Sequence, residues 1–268
     1  MSRRRLIELR EAVGLGPPYL PELLEELRVD PREGARALYE ACLRRLGRCA
    51  DEDRRLQSMM EFEREAGENG FARVAGVDEA GRGPLAGPIV AAAVVLSRPL
   101  AGLNDSKQVP PELREALCAE IQCGEHAVGV AVVSSEDIDR RGIQCANYEA
   151  MVRAVMALDP MPDFVLVDGF RVPGCPVPQR RIVKGDCRSL SVAAASIVAK
   201  VTRDRIMAEL DARYPDYGFA RHKGYGTAEH LDALRRLGPC PVHRMSFAPM
   251  AQGCESGSLF GNEEEGWS

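Results

Sequence analysis

The segment Val74-Ala75-Gly76-Val77-Asp78-Glu79-Ala80-Gly81-Arg82-Gly83-Pro84 constrains this chain more than any other. A short apolar run ends in two adjacent carboxylates, a glycine-rich turn follows, and a second apolar run covers Ile89 to Leu96. The pattern predicts a strand, a tight turn and another strand, with the acids at a strand end. Carboxylates with no Cys or His cluster beside them suit a hard cation such as Mg²⁺. Glycines let backbone amides approach a sugar or phosphate closely. The first expectation is an enzyme that uses metal to cut or join a phosphodiester.

A chain of 268 residues is long enough for one large domain, or for one with a smaller appendage. It has no apolar run long enough to span a bilayer, and the basic start Met1-Ser2-Arg3-Arg4-Arg5-Leu6 lacks the apolar core of a signal peptide. The nine cysteines are scattered, with no C-x-x-C pair, so reduced thiols and a cytoplasmic location are expected. A net charge of −5 speaks against a protein that coats nucleic acid. Basic residues are nevertheless dense between Arg180 and Arg244, and the acidic surplus lies in the N-terminal segment and the tail. A local basic face therefore stays open, although each such residue alone also reads as an ordinary solvated side chain.

Residues 1–70 read as a helical extension. Asp30-Pro31 is a candidate helix start, and Ala35, Leu38, Tyr39, Cys42 and Leu46 follow at helical spacing. This stretch carries no catalytic constellation. From Phe71 the pattern changes to strands over 73–77, 89–96, 128–133, 164–167 and 179–183. Helices are expected over 111–123, 143–158, 189–214 and 228–237. The order predicts an α/β domain over 71–250, with a mixed sheet flanked by helices on both faces. Residues 251–268, with Gly, Ser and Glu, are expected to be a disordered tail.

Two further acids fall at comparable places. Asp168 ends the apolar run Phe164-Val165-Leu166-Val167, and Asp186 lies just before a helix. Strand ends are where sheets of this kind bind ligands. Asp78, Glu79, Asp168 and Asp186 could converge on one sheet edge, where their repulsion would call for divalent cations. Asp168-Gly169 also reads as a plain turn and Asp186 as a helix cap, and spacing leaves that open. Asn104-Asp105-Ser106-Lys107 offers a hydroxyl and an ammonium to a phosphate, and His222-Lys223-Gly224-Tyr225-Gly226-Thr227 presents a cation and a ring for stacking. His230 and His243 read as structural, and Cys187 as a packed thiol.

Together these segments resemble the ribonuclease HII family. The match is carried by Val77 to Pro88, Asn104 to Lys107, Val167 to Gly169, Lys184 to Asp186, Ala193 to Asp204, His222 to Thr227 and His243 to Phe247, in order. The resemblance implies a ribonuclease H-like fold. It also implies cleavage of RNA in RNA/DNA hybrids and nicking 5′ of single ribonucleotides embedded in duplex DNA. Carried over residue by residue, it makes Asp78, Glu79, Asp168 and Asp186 the catalytic metal ligands. Gly81, Arg82 and Gly83, with Tyr225, would read the 2′-hydroxyl. Ser106, Lys107, Lys184 and Lys223 are candidate phosphate contacts. Two Mg²⁺ or Mn²⁺ ions roughly 3.5–4 Å apart would leave 3′-hydroxyl and 5′-phosphate ends. No membrane contact is implied, and a monomer is expected. The related type 3 ribonuclease H is disfavoured by Gly81-Arg82-Gly83 and by the helical N-terminal segment. A non-catalytic hybrid-binding module would be expected to lack one of the acids. A phosphatase with an Asp nucleophile would need a D-x-D motif that the chain lacks.

Overall fold

The structure, a computed structural model, describes residues 4–251. The tail expectation lies outside the described residues from position 252 onward. Contacts divide the chain into two compact units, Met1–Ser58 and Met59–Ser268.

The first unit is helical. α1 (Leu6–Gly14), α2 (Pro21–Val29) and α3 (Glu33–Met59) bury Leu9, Val13, Tyr19, Leu23 and Leu27 against Ala35 and Cys42. Pro21 opens α2, where its missing N–H costs nothing. Asp30 does not start a helix as expected. It follows the end of α2, and its carboxylate takes the Arg32 amide at 3.0 Å, so α3 begins only at Glu33.

The second unit opens with α4 (Glu61–Glu68), which lies inside the sequence-assigned extension. β1 (Val74–Ala80), β2 (Ile89–Val95), α5 (Pro111–Cys123), β3 (Ala127–Val133), α6 (Ser135–Arg141), α7 (Ile143–Met156), β4 (Phe164–Asp168) and β5 (Gln179–Ile182) follow. Then come a 3₁₀ turn (Gly185–Cys187), α8 (Leu190–Arg213), a second 3₁₀ turn (Pro215–Tyr217), α9 (Phe219–His222) and α10 (Ala228–Leu237). Among the described residues five strands form one mixed sheet in the order β3-β2-β1-β4-β5. β1, β2 and β3 pair antiparallel, whereas β4 and β5 add in parallel on the other side of β1. α6 was not foreseen, although Ser134 followed by Asp137 is a capping signal. The Asp137 amide donates to Ser134 Oγ at 3.1 Å.

The period-2 alternation divides the sheet between two helices. Ala75, Val77, Ile89, Ala91, Ala93, Val165 and Val167 face α7, where Ala146, Ala150, Met151, Ala154 and Val155 complete the core. The opposite face takes α8. A Cβ on Gly76 would come within 3.0 Å of the Ser191–Val192 backbone, so the helix axis rests directly on β1. The first ten residues of α8, Leu190 to Ala199, are all buried and mostly small, as close packing on several sides demands. Its N-terminus is tied to α4, because Glu63 Oε1 accepts from Ser189 Oγ at 2.7 Å and from the Ser191 amide at 2.9 Å. No helix among the described residues is long and apolar enough to cross a membrane.

A histidine relay supports the loop between α9 and α10. His243 Nδ1 accepts from the Cys240 amide at 2.9 Å, which leaves its Nε2–H to donate to His230 Nε2 at 3.0 Å; these tautomers follow from the bonding pattern. His230 Nδ1–H in turn donates to the Tyr225 carbonyl at 2.9 Å. Burial pushes His243 from an ordinary 6.5 down to about 4, and burial lowers His230 as well. The folded state holds fewer protons than the unfolded chain between those pH values. The stability contributed is therefore complete above about pH 6.5 and is lost as the pH falls toward 4. The His243 shift corresponds to about 3 kcal/mol. Urea midpoints should fall between pH 7 and pH 4.5, and His243→Asn should flatten that fall. An equal pH dependence in both proteins would exclude this role.

Candidate active site

β1 runs three residues further than its apolar run, because β2 pairs with it to the end: Asp78 lies opposite Ala92, and Glu79 opposite Ala91. Its pairing with the parallel partner β4 ends at Val167, beside Val77. Asp78 and Glu79 therefore project where the sheet opens between β1 and β4, one toward each face. Asp168, the last residue of β4, and Asp186, in the 3₁₀ turn after β5, reach the same opening. All four acids line one cleft of about 460 Å³, together with Gly81, Arg82, Gly83, Ser106, Lys107 and Tyr225. Lys184 and Lys223 do not line it. Both take left-handed backbone, with φ of 55° and 53°, and turn the chain into the glycines that follow them.

Ser196, Lys200 and Arg203 also line the cleft. No role was assigned to them from sequence. Their signal in the sequence is spacing: at i, i+4 and i+7 they share one face of α8. Ser196 Oγ donates to Ser106 Oγ at 2.8 Å, and Lys200 Nζ pairs with Asp204 Oδ1 at 2.7 Å.

The electrostatics are those of crowded acids. Burial raises the Asp78 carboxyl well above its ordinary value, and Glu79 and Asp168 add repulsion. Burial also raises Glu79, against the pull of Arg82, which lies 3.4 Å from Glu79 Oε1. Asp168 is raised by burial and by Asp186, while the Gly185 amide, donating to Asp168 Oδ1 at 2.6 Å, acts the other way. Glu79 Oε2 is buried with no hydrogen-bond partner. Asp105, Asp186 and Cys187 bring one potential ligand atom each within 4.8 Å of one another, but burial and Asp186 raise the Cys187 thiol, and hard cations take oxygen. Ser189, not Asp186, caps α8, with its Oγ accepting from the Val192 amide at 3.3 Å.

The turn after the two acids is held from behind. Gly81 has φ of 96°, and a Cβ there would run into Arg203 and the Pro88 carbonyl. Arg203 Nε donates to the Pro88 carbonyl at 3.0 Å, and its Nη2 to Ala86 at 3.2 Å. Arg244 Nη2 donates to the Gly81 carbonyl at 2.6 Å, its Nη1 to Arg82 at 2.9 Å, and its Nε to Gly87 at 3.0 Å. Both guanidinium groups are buried. Burial and the nearby Arg203 push Arg244 down to about 9, which leaves it charged at neutral pH. Arg82 itself reaches outward, 3.1 Å from Gln144 Oε1 and over the Phe170 ring. Tyr225 is 46% exposed beside Gly83, so its ring is open to a flat ligand.

Comparison with known proteins gives consistent relatives. The family model described as Ribonuclease HII matches residues 75–250, and the one described as Ribonuclease HII N-terminal domain matches residues 17–67. The chain is 53% identical over 230 residues to Ribonuclease HII of Geobacillus kaustophilus, covering 85% of this chain and 88% of that one. It is 46% identical over 255 residues to Ribonuclease HII of Anaeromyxobacter, covering 94% and 81%. Among solved structures, the ribonuclease H2 of Pyrococcus horikoshii aligns with a TM-score of 0.58 at 28% identity, over 69% of this chain and 98% of that one.

Proposed function

The chain belongs to the ribonuclease HII family and is a metal-dependent endoribonuclease acting on the RNA strand of RNA/DNA hybrids; from that premise we propose that it also nicks duplex DNA 5′ of a single embedded ribonucleotide. The observation that carries this reading is the meeting of four acids, a glycine turn and an exposed tyrosine in one cleft. The four acids Asp78, Glu79, Asp168 and Asp186 are the proposed ligands of two divalent ions, Mg²⁺ or Mn²⁺. The residues fit such ions: the donors are all oxygen, burial and mutual repulsion raise three of them, and Glu79 Oε2 is buried without a partner. When bound, the ions would supply the Lewis acidity that activates water and stabilises the leaving 3′-oxygen.

The chain's own groups do the recognition. A sugar 2′-hydroxyl is what separates RNA from DNA, and the amides of Gly81-Arg82-Gly83 can reach it because no Cβ holds the two glycines off. The Tyr225 ring stacks on the next sugar and favours deoxyribose there, which would set a preference for RNA–DNA junctions. Ser106 and Lys107 lie in the cleft for a phosphate, and Lys200 adds a second cation. Replacing Tyr225 with Phe should keep most of the activity. Tyr225→Ala should lose about 1–3 kcal/mol of binding, the usual worth of one stacked ring. Equal loss in both variants would assign the role to the hydroxyl instead.

The deciding assay uses a labelled DNA duplex with one ribonucleotide, in Mg²⁺, Mn²⁺ or EDTA, beside an all-DNA control. A metal-dependent nick 5′ to the ribonucleotide, leaving a 3′-hydroxyl and 5′-phosphate, is expected. Cleavage of long hybrids without that nick would overturn the junction activity.

A further inference from the structure

We propose that Arg244 and Arg203 are positioning residues that set sugar discrimination, by gripping the carbonyls of the Gly81–Pro88 loop so that its amides face the cleft. The inference rests on the reading above, in which Gly81-Arg82-Gly83 recognises the 2′-hydroxyl. Two arginines occupy the interior behind this loop with no carboxylate salt bridge among the described residues. Their donors go to backbone: Gly81, Arg82 and Gly87 to Arg244, and Ala86 and Pro88 to Arg203. Arg203 Nη1 also donates to the Lys223 carbonyl at 3.0 Å, so the same side chain holds the loop that carries Tyr225.

Peptide geometry makes this consequential. In a trans peptide the carbonyl of one residue and the N–H of the next point in opposite directions. The Gly81 carbonyl is turned onto Arg244, so the Arg82 N–H faces away from it. The Arg82 carbonyl is turned onto the same guanidinium, so the Gly83 N–H faces away too. Gly81, Arg82 and Gly83 line the cleft, and these two amides are therefore presented to its contents. An arginine fork can hold three carbonyls in one plane, whereas a lysine offers a single point charge on a flexible stem. Two desolvated charges are costly to bury without counter-ions, and the local return is a fixed backbone with its donors preset. Asp139 secures the arrangement from the far side. Its carboxylate accepts from the Met245 and Ser246 amides at 2.7 and 2.9 Å, next to Arg244 in the chain.

The test is Arg244→Lys, which keeps the charge and loses the fork. The readout is the ratio of two constants. One is the inhibition constant of an all-DNA duplex, and the other is KM for the same duplex carrying one ribonucleotide. Melting temperature and kcat are measured alongside. A folded variant whose ratio falls tenfold to about a hundredfold, through KM rising toward an unchanged DNA constant, supports the clamp; that range matches a displacement of roughly 1 Å in a positioning group. A folded variant with an unchanged ratio overturns it, as does one in which both constants shift equally. If Arg244→Lys does not fold, Arg203→Lys is read by the same criteria. Should neither fold, the arginines are supports of the fold and the specificity role is overturned. A wild-type ratio near one would instead remove the 2′-hydroxyl reading itself, before any variant is considered, and the clamp with it.

Discussion

Asp78→Asn is expected to slow cleavage roughly a thousandfold and, in EDTA, to raise the melting temperature. The two effects have one cause. Asp78 is buried at 6% exposure and faces repulsion from Glu79 and Asp168, so the ion-free protein carries unfavourable charge at this point. The amide keeps the shape, including an oxygen for the Glu79 amide that now donates to Asp78 Oδ1 at 2.7 Å, and removes the charge. Losing one ligand charge from such a site is expected to cost about 4 kcal/mol of transition-state stabilisation, or roughly a thousandfold in rate. Stabilisation of the protein by added Mn²⁺ should shrink in parallel, by mass action. Single-turnover cleavage and thermal unfolding with and without Mn²⁺ measure all three quantities. Near wild-type cleavage would remove Asp78 from the chemistry, and an unchanged melting temperature in EDTA would remove the repulsion.

Gly76→Ala should be among the most destabilising single substitutions in the second unit. The added methyl would meet the Ser191–Val192 backbone at less than 3.0 Å, and backbone cannot swing aside as a side chain can. α8 would have to lift from β1, and with it Ser196 and the N-terminus that Glu63 holds next to Asp186. Overpacking in a core costs typically 1–3 kcal/mol, and a backbone clash belongs at or above the top of that range, about 3 kcal/mol. The urea midpoint should fall accordingly, and activity should drop even where the protein remains folded. Gly129→Ala is the counterpart on the other face, where the methyl would meet the Ala154 carbonyl of α7. A loss below about 1 kcal/mol in Gly76→Ala would mean that the helix sits less tightly on the sheet than described.

Local sequence determined the elements wherever one residue period dominated. α5 and α10 coincide with their expected spans because Pro111 and Thr227 begin them and Gly124 and Gly238 follow their ends. The five strands were each found within three residues, since apolar runs bounded by turn residues admit little else. The acids were visible as strand-end residues for the same reason. Three things depended on tertiary structure. β1 continues through Asp78 and Glu79 only because β2 pairs with it there, which a polar dipeptide does not announce. Lys184 and Lys223 are not among the residues that line the cleft, while Lys200, distant from both in sequence, does line it. The grip of Arg203 and Arg244 on the glycine turn joins residues 115 to 163 positions apart. Periodicity reports which face of an element is apolar. It carries no information on which carbonyl a buried guanidinium will find, because that is fixed by the packing of α8 against the sheet and by the need to satisfy every donor once it has left water.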